Sequence, residues 1–196
     1  CRRRLSDIVK KHSSISRFSS GSFRRRPIQG QTLLLARSAL AIVDHTGYGV
    51  LEHGPTGPVL CEAGIVRSRA SRSLEARLAE ICDGVRDVIR SFTPQAVAVE
   101  ELYSHYKRPR TAILMGHARG VLRLAAAEAH IPVRHYAATQ VKRLLTGSGR
   151  ASKAQIQQAI CRELSLAAPP EPPDVADALA IALCHFYLDR QKALLS

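Results

Sequence analysis

The run Gln95-Ala96-Val97-Ala98-Val99-Glu100-Glu101 limits the fold of this chain more than any other stretch. Successive strand residues face opposite sides of a sheet, and here both sides are apolar until the acids begin. A strand buried on both faces belongs to a parallel or mixed sheet covered by helices on each side. In open sheets of this kind the site lies beyond the C-terminal ends of the parallel strands, where this run turns acidic. Glu100 ends the apolar run, and Glu101 points the opposite way.

A second acidic element belongs to a helix. The run Pro172-Pro173-Asp174-Val175-Ala176-Asp177-Ala178-Leu179-Ala180-Ile181-Ala182-Leu183 begins with prolines suited to a helix start and continues with helix formers. Asp174 and Asp177 are three residues apart, so both carboxylates share one face within a single turn. Everything around them is apolar, and like charges at a buried margin repel unless a cation compensates them. A divalent metal is one such compensator. Capping of the helix N-terminus, where acids suit the dipole, is the other explanation of the same pair. One inward Glu on a strand and two Asp on a helix could meet around hard cations, which take oxygen ligands. Two such ions are a standard device for in-line attack on a phosphodiester.

The remaining pattern predicts three meandering strands followed by alternating helices and strands. Leu33 to Asp44 is largely apolar and ends near a turn at His45-Thr46-Gly47, Tyr48 to Glu52 returns antiparallel, and Leu60 to Val66 forms a third strand. Leu74, Leu78, Ile81, Cys82, Val85 and Ile89 mark one face of a helix. A helix over about 111–129, a strand from Pro132 to Tyr136 and three further helical stretches complete the order. Ser152-Lys153-Ala154-Gln155 opens one of those helices as a capping box. The expected class is α/β, a mixed sheet with helices on both faces.

Several local words resemble the RuvC family of Holliday junction resolvases. They are Thr46-Gly47-Tyr48-Gly49-Val50, Val99-Glu100-Glu101-Leu102-Tyr103, Met115-Gly116-His117-Ala118-Arg119-Gly120-Val121 and Tyr136-Ala137-Ala138-Thr139-Gln140-Val141-Lys142. Gly147 to Gln155 and Asp174 to Ala182 follow, in the family's order and spacing, so the resemblance spans roughly residues 44 to 188. It implies a ribonuclease H-like fold, a homodimer and magnesium-dependent paired nicking of four-way DNA junctions. It also implies two Mg2+ ions per subunit, with Mn2+ able to substitute, and the RuvA and RuvB branch-migration proteins as candidate partners. Residue by residue, Glu100, Asp174 and Asp177 match metal-binding catalytic carboxylates. Tyr103 matches an aromatic that stacks near unpaired bases, while Lys142 and Lys153 match cations that hold the backbone at the scissile phosphate. Stacking is sequence-tolerant chemistry for any aromatic at a site rim, and Lys153 falls in a helix's first turn, which favours phosphate. Arg119 is a further DNA-binding candidate, with bracing of the dimer or sheet as its alternative. His45, His105, His117 and His135 have no metal-ligand spacing.

The chain departs from the family at its first strand. The family's glycine-isoleucine-aspartate-proline-glycine word, whose Asp is the first metal ligand, is absent. Counting back from Thr46 lands on Leu40, a second alignment lands on Arg37, and a shortened hairpin offers Asp44 as the acid. A break in reading frame upstream of Asp44 would give the same appearance. An active nuclease using Asp44, Glu100, Asp174 and Asp177 is therefore set against a catalytically impaired junction-binding protein. A nuclease of RNA–DNA hybrids is a more distant rival, opposed by the words around Tyr103 and Lys142.

Net charge of +13 and a pI near 10.2 suit a polyanionic partner. Much of that charge sits in residues 1–30, where nine Lys or Arg face one Asp. The expected division is a basic, disorder-like leader over 1–30, a nuclease domain over 31–190 and a tail over 191–196. The Arg/Ser-rich leader also has transit-peptide composition, so the expected location is cytoplasmic, or organellar if the leader is a targeting signal. Five scattered cysteines argue for a reducing compartment and against a disulfide framework or zinc site. No apolar run is long enough to span a membrane.

Overall fold

The computed structural model describes residues 15–18, 31–36, 44–101 and 109–195. Among the described residues six strands form one sheet: β1 (Ile15–Phe18), β2 (Gln31–Ala36), β3 (His45–His53), β4 (Pro58–Arg67), β5 (Val97–Glu100) and β6 (Val133–Tyr136). Their spatial order is β1-β4-β3-β2-β5-β6. Antiparallel pairing links β2 to β3, β3 to β4 and β1 to β4, whereas β2–β5 and β5–β6 are parallel. The mixed sheet expected from the sequence is present, with β5 at an interior position.

Two boundaries differ from expectation. The strand read over Leu33 to Asp44 is β2 at Gln31–Ala36, and β3 already begins at His45, inside the expected turn. Ile15–Phe18, expected within the leader, pairs antiparallel along the outer edge of β4.

Among the described residues five helices cover the sheet: α1 (Leu74–Phe92), α2 (Pro109–Glu128), α3 (Ala138–Thr146), α4 (Lys153–Glu163) and α5 (Pro173–Leu195). α5 runs to Leu195, through the segment expected as a tail. α1 and α2 pack on one face around Tyr48, Val50, Val66, Val85 and Leu122. α3, α4 and α5 cover the other face, over Leu51, Ala63 and Ile65. Ser73 caps α1 by accepting a hydrogen bond from the Ala76 amide, and the expected apolar stripe of that helix faces the sheet.

α5 is apolar nearly all round because it is the central helix of its layer, buried from Asp174 to Phe186 except at half-buried Asp177. Its seat is two residues without side chains. A Cβ placed on Gly47 would lie 2.1 Å from the Asp174 carbonyl oxygen, and one on Gly49 would lie 2.5 Å from Leu179 Cδ2. Strand alternation turns Thr46 and Tyr48 to the opposite face, where both are fully buried. The Thr46-Gly47-Tyr48-Gly49 word is therefore a docking bed for α5 on one side and core on the other.

Candidate active site

β5 delivers Glu100 at its C-terminal end, level with Tyr136 of β6. α5 begins with Pro173 and places Asp174 and Asp177 in its first two turns, over the β3 glycines. Between these elements lies a cavity of about 330 Å³. Its polar rim is Glu100, Lys142, Lys153 and Asp177, above apolar Val141 and Ile156. Lys142 comes from α3. Lys153 is the first residue of α4, held there by the expected capping box: Ser152 accepts from the Gln155 amide, and the Gln155 side chain accepts from the Ser152 amide.

The electrostatics of this rim are strained in the direction of metal binding. Burial pushes the Glu100 carboxyl above its ordinary range and repulsion from Asp177 adds to it, against the pull of Arg119 and Lys142. Burial likewise raises Asp177, opposed by Lys153 and reinforced by Asp174. Lys153 Nζ stands 3.8 Å from Asp177 Oδ2, too far for a tight ion pair. Two half-buried carboxylates pushed toward the neutral form are oxygen donors that a hard divalent cation would restore to charge. By donor chemistry the residues fit such an ion. Asp174 is buried and turned aside, with His45 Nε2 2.7 Å from its Oδ2. Among the described residues no three His, Cys, Asp or Glu converge closely enough to enclose an ion by themselves.

Asp44 is not brought to this group. It immediately precedes β3, and since His45 faces Asp174, alternation sends Asp44 toward α1. There its carboxylate accepts a 2.6 Å hydrogen bond from Arg77 Nη2 on the opposite side of the sheet from α5. The first-strand slot is filled by β2. Its register, Leu33 with Val97 and Leu34 with Ala98, carried on to the strand's end sets Ala36 level with Glu100. The residues of β2 include no acid. Arg37, Leu40, Tyr103 and His105 lie outside the described residues.

Arg119 projects from α2, and its Nη2 lies 3.1 Å from His135 Nδ1 on β6. His45 and His135, set aside in the sequence for want of metal-ligand spacing, are both site neighbours. Neither stands at a telling spacing from its partner in the chain, so no local pattern could have revealed them.

A mixed five-strand core with β1 added at its edge, acids at the end of β5 and acids on the helix crossing the first hairpin define a ribonuclease H-like nuclease domain. A family model described as crossover junction endodeoxyribonuclease RuvC matches residues 42–185. The chain belongs to this family. A Rhodopirellula baltica crossover junction endodeoxyribonuclease RuvC is 54% identical over 145 residues, covering 73% of this chain and 80% of the relative. The Desulforamulus reducens protein of the same name is 44% identical over 140 residues, covering 71% and 85%. Thermus thermophilus RuvC in complex with Holliday junction substrate superposes with a TM-score of 0.74 at 32% identity, over 83% of this chain and 97% of that one. The yeast mitochondrial Holliday junction resolvase Ydc2 shares the fold, with a TM-score of 0.58 at 11% identity.

Proposed function

We propose that this endonuclease resolves four-way DNA junctions by paired, symmetric nicks, and that Glu100 and Asp177 are the carboxylates that would hold its divalent metal, with Asp174 beside them. The observation that carries this reading is the cavity where Glu100 and Asp177 repel each other across a rim shared with Lys142 and Lys153. A divalent ion, when bound, supplies activation of the attacking water and stabilisation of the leaving 3′ oxygen. Lys142 and Lys153 hold the phosphodiester in line over the apolar floor, and the start of α4 adds its own positive end to Lys153. The family's relatives supply no support for a binding-only protein. Divalent-metal dependence is general in this family, and two Mg2+ per subunit is the finer count, read by calorimetric titration.

Paired nicks need two copies, because a four-way junction is itself nearly two-fold symmetric. α2 supports a homodimer. Ile113 and Leu124 are 59% and 52% exposed, and no atom lies within 4 Å of a Cβ built on Gly116 or Gly120. These four positions form one helical stripe of small and apolar residues open to a second helix. Hand-over of the junction from RuvA and RuvB, and work in the cytoplasm, belong to the same reading. None of the described helices is long and apolar enough to cross a membrane.

The test is cleavage of a labelled synthetic four-way junction in magnesium by the parent, Glu100→Gln, Asp177→Asn and Asp44→Asn proteins. The expected outcome is paired nicks by the parent and by Asp44→Asn, with no nicks but intact junction binding in the other two. Cleavage at the parental rate by Asp177→Asn would sink the site assignment.

A further inference from the structure

Arg119 and Arg123 lie one turn apart on α2 and converge on a single imidazole. Arg119 Nη2 is 3.1 Å from His135 Nδ1, and Arg123 Nη2 is 3.0 Å from His135 Nε2. A guanidinium has donors only, and a neutral imidazole has one donor and one acceptor. Only one of these two contacts can be a hydrogen bond. In the other, an N–H faces an N–H, and protonating the ring would leave no acceptor at all. Among the described residues neither arginine has a carboxylate within ion-pair distance, and His135 is the sole polar partner of both. Glu101 acts on Arg119 and His135 only through space. Three donor-bearing groups thus converge with one acceptor among them.

Arg123 and His135 are exposed and Arg119 is half-buried, so water meets part of this donor excess, and a multidentate anion would replace that water with a better-matched acceptor. Arg119 is half-buried, and burial and Arg123 both weaken its hold on its proton. The position of the cluster identifies the anion. His135 immediately precedes Tyr136, which is level with Glu100, and Arg119 is near enough to Glu100 to pull on its charge. The cluster therefore opens at the same end of the sheet as the cavity. It lies on the α2 side, whereas Lys142 and Lys153 lie on the α3–α4 side. Extended DNA bound across the cavity would bring a backbone phosphate over it.

We propose that Arg119, Arg123 and His135 form a second phosphate-binding site, which takes a backbone phosphodiester of the DNA substrate away from the cleaved bond. The inference rests on the junction-cutting function above. A planar guanidinium matches two phosphate oxygens, and the anion would supply the acceptor that the imidazole N–H and the arginine facing it both lack. The site positions DNA and takes no part in bond breaking, so it governs affinity and its salt dependence rather than the chemical step.

The experiment measures junction affinity over a range of salt concentrations, with sedimentation of each protein, for the parent, Arg123→Ala and His135→Glu. Each phosphate neutralised contributes about 0.9 to the slope of log K against log salt. Arg123→Ala is expected to lower that slope by about one and to weaken binding about tenfold at low salt, with the saturated cleavage rate unchanged. His135→Glu places an acceptor between the arginines and is expected to lower the slope similarly while raising the melting temperature. A parent that binds, with slope and affinity unchanged in both variants, would overturn the phosphate site and leave the junction-cutting function standing. A parent that fails to bind would overturn both. Dissociation of a dimer by Arg123→Ala, with DNA contact per subunit unchanged, would overturn it in favour of a carboxylate from a second copy.

Discussion

Replacing Gly47 with alanine adds one methyl group at the point where β3 carries the start of α5. The new Cβ would fall 2.1 Å from the Asp174 carbonyl oxygen, 2.5 Å from its carbonyl carbon and 3.0 Å from its Cβ. All but the last belong to backbone, so no rotamer change relieves the contact. Real Cβ atoms essentially never come closer than 3.0 Å to such neighbours. The first turn of α5 must therefore retreat by about 1 Å, an overpacking that costs roughly 1–3 kcal/mol. For a domain of this size that lowers the melting temperature by roughly 2–12 °C. Asp174 and Asp177 ride on the displaced turn, and a misplacement of this size can cost up to about 100-fold in rate. Gly49→Ala is the milder comparison, because its Cβ meets the end of the Leu179 side chain rather than backbone. The assay is single-turnover cleavage of a four-way junction in saturating magnesium, paired with thermal melts and junction binding. The expected pattern is a large rate loss with binding retained in Gly47→Ala, and a rate within about threefold of parent in Gly49→Ala. Equal rates and melting temperatures in the parent and Gly47→Ala would refute the reasoning that α5 is seated on this glycine.

Asp177→Asn should abolish cleavage yet stabilise the metal-free protein by about 1 kcal/mol, or roughly 2–4 °C, since it removes a repelled, half-buried charge. A raised folded pKa favours the protonated acid, so the stability it contributes is present at low pH and is lost as pH rises through that value. The gap in melting temperature between variant and parent should accordingly widen as pH rises above the ordinary aspartate range and close on adding magnesium; a gap independent of pH would contradict this. Lys153→Ala should slow the saturated cleavage rate about 10- to 100-fold, the value of one charge-assisted hydrogen bond to phosphate, with circular dichroism unchanged. Ser152→Ala removes the α4 cap and should cost about 1 kcal/mol in chemical denaturation, together with part of the rate through loosening of Lys153. Asp44→Asn breaks only an exposed pair with Arg77 and should change stability by less than about 1 kcal/mol.

The parts of the site that were legible in the sequence are those governed by short-range periodicity. Alternation through Val97 and Val99 located the strand that ends in Glu100, the three-residue spacing put Asp174 and Asp177 on one helix face, and Ser152 with Gln155 announced the start of α4. The central place of β2 was not legible, because Leu33 to Asp44 is apolar without strict alternation and gives no register. Asp44 looked like a strand-ending acid, but one residue's shift in the start of β3 sends its side chain to the other face of the sheet. The contacts of His45 with Asp174 and of His135 with two arginines depend on how elements far apart in the chain are layered. No local pattern encodes that layering.

Docking of α5 on Gly47 and Gly49 also sets an order in time. Asp174 and Asp177 are carried by the last of the described elements to be synthesised, whereas Glu100, Lys142 and Lys153 are all made earlier. A nascent chain halted after Lys153 but before Pro173 carries both lysines and Glu100 but not the carboxylate pair, and the face of the sheet meant for α5 stays bare. On the proposed site assignment, such a chain would attract DNA without cutting it. If those acids do hold the metal, this junction endonuclease gains its cutting ability only with the helix that also completes its core, and truncated copies would be inert and unstable together.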